Sequence, residues 1–291
     1  MGFLTIFTPT YNREYTLQKL YLSLKNQSCK DFLWLIIDDG STDNTRQLVE
    51  GFIDEDMISI QYYQQVNQGK YVAHNNGVNR CFTPLFVCVD SDDYLLPNAV
   101  QRIKGTWEKI KTDIRIGGIV SPRKLEGDLL FSNPPQFGTL EQLYSQRIFS
   151  GDTMLVYRTD ILKRFPFPVF SGEKFMSEGA IYIQIDQSYV LYYLNEHLYV
   201  SNYLADGLSI NLIKHRYQSA RCSQYEFYVY AALKSHFLER VKNYGCYLGW
   251  TKALKIDTSF SFLKIGFLTR ISGAFLKKHY YRYFSKEVSS V

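Results

Sequence analysis

Phe32-Leu33-Trp34-Leu35-Ile36-Ile37 is a run of six apolar residues that stops abruptly at Asp38-Asp39-Gly40-Ser41-Thr42-Asp43-Asn44-Thr45. An unbroken apolar run of this length, closed by turn residues, predicts a strand covered on both faces, as in a parallel sheet. Leu48, Val49 and Phe52 then continue at helical spacing. The alternation extends both ways from this stretch. Upstream, Phe3 to Thr8 predicts a strand, and Leu17, Leu20, Tyr21 and Leu24 predict the buried face of a helix. Downstream, Ile58 to Tyr63 predicts a third strand, Val72 to Cys81 a helix, and Leu85 to Val89 a fourth strand before a helix started by Pro97. Strand and helix in turn imply an α/β domain with a mainly parallel central sheet flanked by helices. From about residue 112 to 240 the pattern is less regular, with a strand expected at Thr153 to Tyr157; beyond Tyr225 it is helical and aromatic.

At 291 residues, 46% hydrophobic and 21% charged, the chain can bury one large domain with a helical extension, which excludes disorder and a small disulfide scaffold. Its five cysteines are odd in number and form no C-x-x-C pair, so reduced thiols and a cytosolic setting are expected. No apolar run is long enough to span a bilayer and no signal-peptide pattern opens the chain, so the expectation is neither spanning nor secreted. The net charge of +5 is unevenly placed. From residue 241 there are nine basic residues against Asp257 and Glu287, so this tail carries +7 and residues 1–240 carry −2.

In open α/β sheets, ligands bind beyond the carboxyl ends of the strands. Three polar clusters stand there: Thr8 to Arg13, Asp38 to Ser41, and Asp90 to Asp93. Asp90 and Asp92 share one side of an extended chain and suit Mg2+ or Mn2+, with the remaining ligands from water and a substrate diphosphate. A solvated turn is the alternative for the same triplet. Asp39 is placed to accept a hydrogen bond from a base or ribose, or to serve the turn; Asp43 suits a helix cap. Tyr11 offers a ring for stacking on a nucleobase, or for rim packing.

The blocks TPTYNR (Thr8 to Arg13), DDGSTDNT (Asp38 to Thr45), NQGKYVAHNNGV (Asn67 to Val78) and VDSDDYLLP (Val89 to Pro97) resemble, in content and order, the inverting family 2 glycosyltransferases of the GT-A fold, of bacterial capsule and surface-polysaccharide type. The resemblance implies that Thr8, Pro9, Tyr11 and Arg13 hold the nucleotide and that Asp39 pairs with the base. It further implies donor contacts from Asn67, Gly69, Lys70, Asn75, Asp90 and Ser91, with Asp92 as principal metal ligand beside Asp90. His74 stands where an arginine is common, so Lys70 is expected to supply charge near the diphosphate. The stretch Gly172 to Gly179 resembles the family's general-base region without its usual aspartate. Glu178 is the expected base, Glu173 the runner-up, and capping or pairing with Lys174 the alternative for both. Asp152 and Asp206 are expected on the sugar and acceptor side.

The implied reaction moves a sugar from a nucleotide-diphosphate donor, UDP-linked, to a glycan or lipid-linked saccharide. The expected domains are a catalytic region over 1–225, with nucleotide-binding (1–105) and acceptor (106–225) halves, and a helical extension over 226–291. In that extension Phe260, Leu263, Phe267, Leu268, Ile271 and Phe275 fall on one side of a helix with Arg270 and Lys277 beside them. It either lies peripherally on an anionic membrane surface or packs on the domain. No nucleic-acid-binding motif accompanies the basic charge, and no feature sets the oligomeric state. A sugar nucleotidyltransferase is disfavoured because TPTYNR lacks a glycine-rich basic loop; a silent nucleotide-sugar-binding protein is disfavoured by the intact carboxylates.

Overall fold

The computed structural model describes residues 2–124, 129–202, 212–256 and 259–288, without the side chains of 286–288. The chain forms two compact units, Met1–Phe167 with Ser188–Asp206, and Pro168–Gln187 with Gly207–Val291. The boundary expected at 225 falls inside a continuous helix of the second unit, Ala220–Leu233.

The first unit opens with β1 (Leu4–Thr10), α1 (Glu14–Lys25), β2 (Phe32–Asp38), α2 (Thr45–Asp54), β3 (Ile60–Gln64), α3 (Lys70–Arg80), β4 (Leu85–Cys88), β5 (Tyr94–Leu95) and α4 (Ala99–Ile110). It continues through β6 (Ile116–Lys124), β7 (Phe137–Gly138), α5 (Leu140–Ser145), β8 (Thr153–Arg158), α6 (Thr159–Leu162), β9 (Val190–Tyr193) and β10 (Tyr199–Val200). Among the described residues the strands form one sheet in the order β3-β2-β1-β4-β8-β6-β10-β5, with β9 on β6 and β7 on β9. The first four sequence strands pair in parallel, as predicted. β8 runs against both β4 and β6, so the second half of the sheet is mixed. That reversal puts the start of β8 at the same rim as the ends of β1, β2, β4 and β6.

Leu17, Leu20, Tyr21 and Leu24, predicted as one face of α1, are fully buried against Trp34, Ile36 and Phe52. Tyr21 and Phe52 stack at 4.0 Å between ring centroids. Truncating a side chain such as Leu20 to alanine here costs about 2–5 kcal/mol. Across the sheet, the buried His74 ring of α3 meets Phe7, Phe86 and Phe167 edge-on at 5.7, 5.3 and 5.2 Å. It is a packing residue of the helix–sheet interface.

The second unit holds α7 (Gly179–Ile185), α8 (Leu212–Gln218), α9 (Ala220–Leu233), α10 (Phe237–Ala253) and α11 (Phe267–Val288). Cys246, Trp250 and Phe284 form its core with Tyr217 and Phe227. Three glycines let α10 and α11 approach closely: a Cβ would sit 2.7 Å from Leu276 at Gly245, 2.6 Å from Tyr280 at Gly249, and 2.8 Å from Tyr244 at Gly273. The tail helix expected from Phe260 begins only at Phe267. Phe260 packs instead on Phe170 and Tyr225, and the Leu263 amide donates to the Tyr228 hydroxyl at 3.0 Å, so aromatic burial and side-chain hydrogen bonds displace the helical ladder there. Gly266, a poor helix former, marks the junction. None of the five cysteines is joined in a disulfide among the described residues. Among the described residues no helix is long and apolar enough to cross a membrane.

Candidate functional site

The loops after β1 and β2 brace each other. Asn12 takes a left-handed φ of 52°, which its short polar side chain tolerates. Its amide donates to Ser41 Oγ at 2.8 Å, and its Oδ1 accepts from the Thr42 amide at 2.8 Å. Asp43 caps two helices, accepting from the first amide of α2, Thr45, at 3.1 Å and the first of α1, Glu14, at 3.2 Å. Burial acts against its charge, but these bonds and the Thr45 hydroxyl outweigh that and hold its carboxyl below the usual range. Tyr11 is thereby left exposed at the rim, with Arg13 donating to the Tyr15 hydroxyl at 2.7 Å.

Asp38 and Asp39 are both buried but face different groups. Asp38 accepts from the Ser41 amide at 2.8 Å and the Tyr62 hydroxyl at 2.5 Å, closing the turn. Asp39 accepts from Gln65 Nε2 at 2.7 Å and from the amides of Gln68 and Gly69 at 2.8 and 2.7 Å. It therefore anchors the 65–69 loop that presents Asn67 and starts α3. Gly69 has φ 94°, a backbone that delivers its amide to Asp39 and that a side chain would strain. Thr8 is buried and accepts from the Trp34 indole at 3.0 Å; Pro9 is buried in register with Ile37. Asn75, expected among the donor contacts, exchanges hydrogen bonds with the Phe167 backbone at 2.8 and 2.9 Å. Thr10, not singled out in the sequence, is buried at the end of β1 with a hydroxyl that has no partner among the described residues.

At the end of β4 the carboxylates of Asp90, Asp92 and Asp93 meet different surroundings. Lys70 lies 2.7 Å from one oxygen of Asp90 and Arg123 3.8 Å from the other. Burial disfavours the Asp90 anion, but Lys70 and Arg123 overcome it and hold its carboxyl below the usual range. Asp93 accepts from the Tyr199 hydroxyl at 2.6 Å and the Asn202 amide at 2.7 Å, with Arg123 at 3.5 Å. Burial, followed by the Asp90 charge, pushes Asp93 up to about 6. Arg123, from the last turn of β6, donates to the Thr153 carbonyl at 3.0 Å, and its guanidinium lies 4.1 Å over the Tyr199 ring. Its amide donates to the carbonyl of Asp152 at 2.8 Å, which brings that exposed residue to the rim. Asn202 also donates to the Asp92 carbonyl at 2.8 Å.

Among the described residues the Asp92 carboxylate enters no ion pair, and burial with the adjacent Asp90 charge raises its pKa. A cation would relieve that electrostatic cost, so Asp92 fits a metal ligand. Asp90 is already matched by two protein cations. Among the described residues no group of three or more His, Cys, Asp or Glu side chains converges, which leaves water and substrate oxygens to complete a hard-cation shell. Buried Ser91 sits between the two carboxylates.

Glu173 and Glu178 belong to the second unit. Both oxygens of Glu173 accept from the start of α9, the Arg221 and Cys222 amides, at 2.9 and 2.8 Å. Glu178 stands at the N-cap of α7 without capping it, and Tyr182 donates to it at 3.4 Å. Behind it Glu226 is buried against Arg216 at 2.8 Å, with Ser177 and Tyr230 also bonded to it. Asp206 lies outside the described residues. Arg123, Tyr199 and Asn202 escaped the sequence reading because they reach the carboxylates across about 30 to 110 residues of chain, and only strand register brings them there.

A parallel half-sheet with a carboxylate-lined rim at its strand ends is the architecture of the GT-A fold. The sequence model described as Glycosyl transferase family 2 matches residues 5–165, and the chain belongs to that family. It is 27% identical over 164 residues to Streptococcus pneumoniae glycosyltransferase GlyA, covering 56% of this chain and 23% of that protein. It is 33% identical over 101 residues to the Campylobacter jejuni GalNAc(5)-diNAcBac-PP-undecaprenol beta-1,3-glucosyltransferase, covering 34% of this chain and 33% of that protein. The chain thus spans less than half the length of either relative. Among solved structures it resembles S. aureus TarS 1–349 in complex with UDP-GlcNAc, with a TM-score of 0.61 at 18% identity over 96% of this chain and 80% of that one. These likenesses establish the fold.

Proposed function

We propose that the protein is an inverting transferase that moves a sugar from a UDP-linked donor to a hydroxyl of a glycan or lipid-linked saccharide in bacterial surface-polysaccharide synthesis. The observation that carries this reading is the convergence, on one rim of the sheet, of exposed Tyr11, the loop anchored by Asp39, the Lys70–Asp90 pair and Asp92, which enters no ion pair among the described residues. The undecaprenol-linked substrate in the name of the Campylobacter relative and the UDP-GlcNAc bound to TarS support the acceptor and donor classes. That chemistry belongs on the cytoplasmic side of a membrane, where sugar nucleotides meet lipid-linked saccharides.

In this reading Tyr11 stacks on the base, Thr10 and Arg13 lie beside the nucleotide, and Lys70 neutralises the diphosphate while Asp90 orients Lys70. Asp92 would hold Mg2+ or Mn2+, whose positive charge would stabilise the departing diphosphate. Glu178 accepts the proton of the acceptor hydroxyl as its oxygen bonds to the anomeric carbon and the bond from that carbon to the diphosphate oxygen breaks. Asp152 faces the donor sugar, and Asp206 remains assigned to the acceptor side. Glu173, with both oxygens engaged on α9, is the capping residue of the pair.

A thermal-shift panel of nucleoside diphosphates with Mn2+ tests the reading. UDP at a hundred times its Kd should add about 2.7 kcal/mol of stability, roughly 5–10 °C. Asp92→Asn should lose the Mn2+-dependent part of that shift. Glu178→Gln should keep it while donor turnover falls about 10²- to 10⁴-fold. Stabilisation by no nucleotide would remove the donor assignment, and full turnover in Glu178→Gln would remove the base.

A further inference from the structure

We propose that the outer face of α11 is a contact surface for an anionic lipid bilayer, one that lays the second unit on the membrane without crossing it. The two faces of this helix are chemically distinct. The inner face, through Thr269, Gly273, Tyr280 and Phe284, packs on α10, where Gly245 and Gly249 accept it. On the outer face Phe267 is 75% exposed, Leu268 67%, Ile271 43% and Phe275 81%. Four large apolar side chains over about two helical turns are far from the scattered single exposures that need no explanation. Each turn advances about 5.4 Å, so the stripe forms a short, continuous ridge.

Charge selects the occupant. Exposed Lys264, Arg270, Lys277, Lys278 and Arg282 surround the ridge, and among the described residues none of them enters an ion pair. No aspartate or glutamate occurs from residue 258 to residue 286. An apolar ridge with a wholly basic margin matches a lipid surface, with the rings in the acyl boundary and the cations among anionic headgroups. A second copy of this face would bring like charges together. The contact rests on the helix alone and is independent of the transfer reaction.

The test is flotation of the full chain with vesicles of phosphatidylcholine containing phosphatidylglycerol, against vesicles of phosphatidylcholine alone. Binding should require phosphatidylglycerol and weaken as salt is raised. The triple change Phe267→Ser, Leu268→Ser, Phe275→Ser should lower partitioning about a hundredfold, taking roughly 1 kcal/mol per partly inserted side chain. Lys277→Gln with Lys278→Gln should lower it about thirtyfold. Both variants should retain the wild-type circular dichroism spectrum and Tm, because no altered side chain lies on the inner face. Equal partitioning of the triple variant, or no preference for phosphatidylglycerol, overturns the proposal. So does light scattering that shows a wild-type dimer, dissociated by the triple change, together with no vesicle binding.

Discussion

Arg123→Met isolates the group that ties the carboxylate rim together. Methionine keeps an apolar stem but removes a guanidinium 3.5 Å from Asp93, 3.8 Å from Asp90, 4.1 Å over Tyr199 and 3.0 Å from the Thr153 carbonyl. Removing one member of a buried ion pair costs about 3–5 kcal/mol. The lower end applies, because Arg123 keeps 19% exposure, its approach to Asp93 is long, and Asp93 retains its bonds from Tyr199 and Asn202. Losing the stacked cation adds about 0.5–1 kcal/mol. A destabilisation of about 3–4 kcal/mol follows. Urea unfolding of Arg123→Met, Asp93→Asn and the double variant separates the pair from the rest. With Asp93 neutral the anion that remains beside Arg123 is Asp90, which keeps Lys70 at 2.7 Å, so Arg123→Met should then cost only about 1–2 kcal/mol, a coupling of roughly 2 kcal/mol. A coupling under about 0.5 kcal/mol would refute the clamp and reduce Arg123 to a packing residue.

Two further outcomes follow from the second unit. Glu173→Gln should lower stability by about 1 kcal/mol, as expected for weakening a helix cap, while turnover stays within severalfold of wild type; paired urea and turnover measurements check both. Burial outweighs Arg216, Ser177 and Tyr230 in raising the Glu226 carboxyl above its usual range. Its contribution to stability is therefore full below the unfolded-state pKa of glutamate and is lost as pH rises through the raised folded value. Glu226→Gln cannot titrate, so its stability should vary less than wild type across that mildly acidic window; parallel curves from about pH 4 to pH 8 would contradict the assignment.

The first hundred residues were legible because each element there is specified locally. Leu17 to Leu24 carry a helical stripe, Phe32 to Ile37 cannot be other than buried, and the turn residues between them have few conformations to choose from. The capping role of Asp43 followed from turn chemistry, whereas the capture of the 65–69 loop by Asp39 did not. Legibility ended where function depends on register. Arg123 falls in the less regular stretch after residue 112, and nothing local shows that β8 reverses and that β10 places Tyr199 opposite it. The onset of α11 failed for a related reason: the helical period persists through Phe260 and Leu263, but the Tyr225 and Tyr228 side chains compete successfully for them.

Within Val89-Asp90-Ser91-Asp92-Asp93 the chain places three carboxylates in four residues, and their separation into roles is physical. The extended chain expected from the sequence is replaced here by a turn, in which the Asp93 amide donates to the Asp90 carbonyl at 3.1 Å, so each carboxylate meets different surroundings. Asp90 meets Lys70 and Arg123, which favour its anion; Asp93 meets a phenol, an amide and the same Nη1 of that arginine. Those partners consume most of the local positive charge, and Asp92 is left with burial and the field of Asp90, which raise its pKa. A carboxylate so disfavoured becomes a strong ligand once a cation arrives, because the same field that opposes its ionisation attracts the metal. The two ion-paired neighbours therefore do more than hold the loop: they leave Asp92, among the described residues, without an ion pair and under a field that a cation would relieve, which is the basis on which we propose it as the metal ligand.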